Sequence, residues 1–145
     1  MKFFAGVALV ALATSSALAV DLSNCGTDTD TFKLTSLSIS PDPPNVREKA
    51  CITIKGTLNK EITTSATMKV AGDLGALHVD QVLNLCQMLQ EAGITCPVPT
   101  TTTELKYCAD TSFLPSDVPI NLHVEAADTD SPHLFCFSAQ LTIQA

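Results

Sequence analysis

The chain has 145 residues and is acidic, with 15 Asp and Glu against 8 Lys and Arg and a formal charge of −7. That balance excludes a nucleic-acid binder, which needs a basic surface to displace counterions, and permanent electrostatic attachment to an anionic membrane. Six cysteines and no tryptophan in a chain 46% apolar point to a small domain held by cross-links.

Residues 1–19 read as a secretory signal peptide. Lys2 supplies the positive n-region, Phe3 to Ala13 the apolar h-region, and Ala17-Leu18-Ala19 the small residues of a cleavage site. The apolar run is too short to cross a bilayer. The mature chain then starts near Val20, and residues 20–145 form a single domain without repeat, linker or low-complexity segment. An oxidising route makes disulfides the default for the six cysteines, and fifteen connectivities stay open. No C-x-x-C pair and no closely spaced histidines are present, so neither a metal nor a cofactor is expected.

Strand signals then recur between turns. Phe32 to Ile39 alternates, and its apolar parity changes from 32 and 34 to 37 and 39, which predicts a bulge near Thr35-Ser36. Pro41, Pro43 and Pro44 end it, since proline cannot donate to a ladder. Cys51 to Leu58 follows, with Ile52 and Ile54 on one face, and Thr63 to Ala71 is a weaker strand carrying Ala66, Met68 and Val70. Between them and the later strands, Val82, Leu85, Cys86, Leu89 and Ala92 recur at helical spacing; this predicts a helix over about 80–92, started by Asp80 and ended by Gly93. Thr103 to Ala109 places Leu105 and Tyr107 together. Ile120, Leu122, Val124 and Ala126 alternate against Asn121, His123 and Glu125, and Phe135 to Ile143 carries one unbroken apolar face. Six or seven short strands with one short helix predict an all-β, immunoglobulin-like two-sheet sandwich.

Catalytic signals are thin. His123 alternates outward, His133 follows the Ser131-Pro132 turn, and His78 could approach Asp80, but no activated nucleophile accompanies any of them. Asp28-Thr29-Asp30 and Asp128-Thr129-Asp130 fall short of a calcium ligand set and read as solvated turns. The chain is therefore expected not to be an enzyme.

Asn24-Cys25-Gly26, the Ser40-Pro41-Asp42-Pro43-Pro44 turn, the bracket from Leu85-Cys86 to Cys96-Pro97, and Leu134-Phe135-Cys136-Phe137 occur in an order that resembles the lipid-recognition ML domain. That family includes small soluble Niemann–Pick type C sterol carriers, mite group-two allergens and fungal phosphatidylglycerol/phosphatidylinositol transfer proteins, the last being nearest in pattern. The resemblance runs from Cys25 to Ile143. It implies disulfides Cys25–Cys136 and Cys86–Cys96, which leaves Cys51 with Cys108, a departure from the animal members.

It also implies a monomeric carrier in the secretory pathway, extracellular or in the lysosome or vacuole lumen, which binds a sterol or phospholipid between two sheets and touches membranes transiently. The alternative is an extracellular interaction module on the same sandwich. The lipid-binding wall is expected at Leu74, Leu77 and Val79, at Phe113, Leu114 and Val118 in a loop near the pocket mouth, and at Ile120, Leu122, Phe135 and Phe137 on strands. A lipid-sized cavity of ~400 Å3 would cost on the order of 10 kcal/mol if it stood empty.

Overall fold

The computed structural model describes residues 20–145, so the signal-peptide reading of residues 1–19 lies outside the described residues. Eight strands and one helix follow in the order β1 (Asp21–Asn24), β2 (Phe32–Ser40), β3 (Ala50–Leu58), β4 (Thr67–Leu74), β5 (Leu77–Asn84), α1 (Leu85–Glu91), β6 (Glu104–Ala109), β7 (Pro119–Asp128) and β8 (Ser131–Thr142). They form a five-stranded sheet ordered β1-β8-β7-β4-β5 and a three-stranded sheet ordered β2-β3-β6. All ladders between them are antiparallel.

Residues paired directly across antiparallel strands share a face. The register therefore spells out the inner surface of the larger sheet as successive rows: Leu83–Met68–Ala126–Phe135, then Gln81–Val70–Val124–Phe137, then Val79–Gly72–Leu122–Ala139, then Leu77–Leu74–Ile120–Leu141. The smaller sheet answers with Phe32–Leu58, Leu37–Ile54–Leu105 and Ile39–Ile52–Tyr107. The register of β2 on β3 shifts between Leu34 and Ser36, where the change of apolar parity places the bulge.

The main core gathers where the first rows meet. Phe32 packs edge-on to Phe135 at 6.2 Å between ring centroids, and Phe135 stacks on Phe137 at the same distance. Ile62, Leu85, Leu89, Val98 and Leu134 surround them, all buried. Ile120, Ala139 and Ile143 are buried too, but at the far end of the sheet and outside this cluster.

Helix α1 is shorter than its spacing predicts. Residues 80–84 belong to β5 instead, because β4 offers β5 a partner at every position from Leu77 to Asn84. Val82, which a helical stripe would bury, faces outward and is 67% exposed. Asn84 rather than Asp80 caps the helix, its side chain accepting from the Gln87 N–H at 3.0 Å. At the other end Gly93 (φ 82°) donates to Gln90 O and Ile94 to Leu89 O, so the expected glycine stop is a Schellman motif.

Strand β4 starts at Thr67 rather than Thr63, and the short β1, which pairs with β8, adds a strand that the alternation pattern does not reveal. Two aspartates assigned to solvated turns are buried: Asp30 is 4% exposed and Asp128 9%. Asp128 is the hub that holds Thr63 and Ser65 out of the β4 ladder.

All six cysteines are bridged. Cys25–Cys136 ties the end of β1 to β8, Cys51–Cys108 links directly opposed residues of β3 and β6, and Cys86–Cys96 fastens α1 to the loop that follows it.

Candidate functional site

Between the sheets lies an apolar cavity of about 70 Å3. Ile52 and Ile54 of β3 with Leu105 and Tyr107 of β6 form one wall; Met68 of β4 with Phe135 and Phe137 of β8 form the other. Leu85, Met88 and Leu89 close it from α1, where i, i+3, i+4 spacing puts all three on one face. Lys106 lies at the rim on β6, a free edge of the smaller sheet.

The void is smaller than the lipid-sized space expected from the resemblance. At ~24 cal/mol per Å3 it costs about 2 kcal/mol, a tolerable defect. Met88, Phe135 and Phe137 are among the large side chains that line it and narrow the space between the walls.

Burial farther along the inner faces shows that the sheets part. Leu122 lies on β7, inside the five-stranded sheet, and faces the other sheet, yet it remains partly exposed. Val70 on β4 and Ile52 on β3 do the same from interior strands. An inward apolar side chain on an interior strand reaches solvent only when the opposite sheet fails to cover it.

Of the ten side chains expected to line a pocket, the cavity brings together Phe135 and Phe137. Leu74, Val79 and Leu122 continue the same inner face and are partly exposed, whereas Ile120 is buried at the far end. Leu77 (64% exposed) and Phe113 (78%) stand out at that end, with Leu114 and Val118 half-buried. The Gly75 turn that joins β4 to β5 bonds to Pro119 O, and a Cβ on Gly75 would sit 2.7 Å from Val118 Cγ1. Hairpin and loop therefore pack together. Sequence reasoning missed Met68, Leu85, Met88, Leu89, Ile52, Ile54, Leu105 and Tyr107. The apolar stripe of α1 was the signal that could have found three of them.

Burial, and then the nearby Glu91 carboxylate at the end of α1, push the Tyr107 hydroxyl's pKa above its ordinary value of 10.0. Tyr107 thus enters the cavity as a neutral side chain.

The outer face of the larger sheet carries the larger hollow, about 670 Å3, bordered by Lys69, Glu125, His133, Thr27, Asp30 and the Cys25–Cys136 bridge. Volume favours this trough, and Val82, Pro132 and Phe135 line it too, but charged groups stand along its border, unlike the apolar cavity between the sheets. Beside it Glu125, His123 and Ser138 form a carboxylate–imidazole–hydroxyl chain at 2.9 and 3.1 Å. The hydrogen bond to His123 holds the Glu125 carboxyl below its ordinary value. The chain lies on a sheet face whose own amides are engaged in the ladder. The sulfurs of Cys25 and Cys136 approach His123 at 3.9 and 3.8 Å, but they are joined to each other and offer no thiolate to a metal. His78 pairs with Asp73 across the β4–β5 hairpin at 2.9 Å, not with Asp80.

Comparison with known proteins places this geometry. The ML domain family profile matches residues 19–143. The chain is 26% identical over 125 residues to a phosphatidylglycerol/phosphatidylinositol transfer protein of Mycosarcoma maydis, covering 82% of this chain and 63% of the relative. It is 25% identical over 132 residues to a protein of the same name from Kluyveromyces lactis, covering 86% and 75%. Among solved structures, a Niemann-Pick type C2 protein from the Japanese carpenter ant shares the fold with a TM-score of 0.61 at 16% identity, covering 86% of this chain and 99% of that one.

Proposed function

Starting from the ML domain family, to which this chain belongs, we propose that it is a lipid carrier. It takes the apolar part of a sterol or phospholipid between its sheets and passes it between membranes, without chemical change to the lipid. The carrying observation is the set Ile52, Val70 and Leu122, inward on interior strands yet reachable by solvent, continuous with the cavity walls. Affinity comes from removing tail surface from water, at ~25 cal/mol per Å2.

Ligand pockets commonly measure ~300–1,000 Å3, so uptake requires the cleft to widen from its closed volume. The wall best placed to yield is α1 against β6, which meet by side chains and share no strand ladder. The acidic, triply bridged chain fits work in the secretory pathway, outside the cell or in a lysosome or vacuole, as a monomer that touches membranes briefly.

The small closed volume favours one competing reading, an extracellular interaction module without a lipid. Native mass spectrometry of protein from its secretory source separates them: the carrier retains one lipid per chain, and the module emerges empty.

A further inference from the structure

The trough on the outer face of the five-stranded sheet, about 670 Å3, falls within the ~300–1,000 Å3 of small-molecule sites. Its floor is the row Val82–Lys69–Glu125–Cys136, three strand spacings of ~4.8 Å and so roughly 14 Å long. Lys69 and Glu125 stand directly opposite each other in that row, where their charges balance. The Cys25 N–H donates to Cys136 O at 3.1 Å, which seats the turn 26–30 at the β8 end.

That turn carries a carboxylate the fold leaves half satisfied. Asp30 is 4% exposed, a burial that normally demands full pairing. Its Oδ1 accepts from Thr27 Oγ1 at 3.3 Å, whereas no donor reaches Oδ2 among the described residues. The nearby turn aspartates have counter-ions, Asp28 in Lys33 and Asp130 in Lys60; Asp30 has none among the described residues. Every fully occluded side-chain oxygen in those residues has a hydrogen-bond partner, so Oδ2 opens into the trough that Asp30 lines. A Cβ at Gly26 would collide with Oδ2 and come within 3.1 Å of Asn24 Oδ1. Two acceptor oxygens thus border a space that the glycine keeps clear.

An open carboxylate oxygen among acceptors selects a cation. A guanidinium is held best by both carboxylate oxygens at once, and Oδ1 is already engaged. An ammonium is a compact point charge that one oxygen can receive. Apolar surface lies in the same trough at Pro132 and Phe135, and at Val82, 67% exposed at its far end.

We propose that the trough binds a primary alkylammonium ligand. Asp30 Oδ2 receives the ammonium, and the apolar side chains between Pro132 and Val82 carry the alkyl body. The assignment does not rest on the carrier reading.

The probe is n-hexylammonium, titrated into isotope-labelled protein and followed by backbone amide shifts, with n-hexanol, hexanoate and n-hexylguanidinium alongside. The expected result is saturable shifts at Gly26, Thr27, Asp30 and His133, with hexylammonium bound roughly tenfold or more tighter than the other three. Asp30→Asn and Gly26→Ala each reduce its affinity to that of hexanol, the first by removing the charge and the second by filling the space beside Oδ2. Gly26→Ala keeps the carboxylate, so it decides the matter if Asp30→Asn does not fold. Equal binding of hexylammonium and hexanol overturns the assignment, as does tighter binding of hexylguanidinium or an unchanged affinity in the folded variants. Shifts confined to Ile52, Leu105 and Tyr107 of the inner cavity, or no saturable binding of hexylammonium, overturn it too.

Discussion

Asp128 accepts two hydrogen bonds from Thr63, one from its backbone N–H and one from its hydroxyl, each at 2.7 Å. Two more come from the Ser65 hydroxyl at 2.9 Å and the Thr129 N–H at 2.7 Å. The end of β7 is thereby fastened to the segment that leads into β4, next to buried Ile62 and Ala66. Burial pushes the Asp128 carboxyl up, but the four donors outweigh it and hold the group below its ordinary 3.8.

Replacing Asp128 by Ala should lower stability by about 1.5–3 kcal/mol, the scale of hydrogen bonds to a charged acceptor. The pH dependence has a definite sign. A carboxylate with a depressed folded-state pKa contributes stability fully present above the unfolded value near 3.8 and lost as pH falls through the lower folded value. Thermal melts of wild type and Asp128→Asn should therefore differ at pH 5 to 7 and converge as pH falls through the lowered folded-state value.

The three bridges should differ in what they contribute. They span 10, 57 and 111 positions for Cys86–Cys96, Cys51–Cys108 and Cys25–Cys136. Loop-closure entropy assigns them about 3, 4 and 5 kcal/mol as upper bounds. Double alanine variants should lose melting temperature in that order, with Cys25→Ala/Cys136→Ala the least stable. A reversed order would mean that local strain or denatured-state structure outweighs loop length.

Phe113 is 78% exposed at the end of the sandwich where the β4–β5 turn packs on Val118. Phe113→Asp should leave the melting temperature within ~2 °C, because little packing is lost. It should slow lipid delivery to vesicles several-fold, because a carboxylate there must be desolvated on membrane contact. Val118→Asp should also cost stability, since Val118 is half-buried against Gly75. Normal delivery by Phe113→Asp would place the membrane-facing end beside α1 instead.

Met88 is the residue of α1 that lines the cavity without being fully buried. Met88→Trp should fill the void, hold or raise the melting temperature, and cut lipid uptake at least tenfold by occupying the space a tail needs. Undiminished uptake with a folded protein would move the lipid out of this cavity.

Much of the sandwich was legible because period-two alternation survives wherever one face is buried. The bulge near Thr35 could be read from the parity change between Leu34 and Leu37, since a slipped register would turn every later side chain to the wrong face. Residues 80–84 were misread because Val82, Leu85 and Leu89 also satisfy a helical period; only the ladder with β4 decides, and that is a long-range fact. Asp128 looked like turn chemistry because its donors Thr63 and Ser65 lie far away in sequence. The cavity was least legible. Phe135 and Ile120 alternate alike on adjoining strands, and only the departure of the opposite sheet separates pocket wall from ordinary core.

The chain has one tyrosine and no tryptophan, and that tyrosine, Tyr107, lines the cavity. Its emission is thus a built-in reporter for the space between the sheets. The most direct measurement titrates the protein with a phospholipid bearing a conjugated tetraene tail, which absorbs where tyrosine emits. A carrier that seats the tail against Tyr107 predicts loss of Tyr107 emission with transfer to the tetraene, saturating at one lipid per chain. Tyr107 emission that stays constant while the lipid still binds would contradict binding between the sheets.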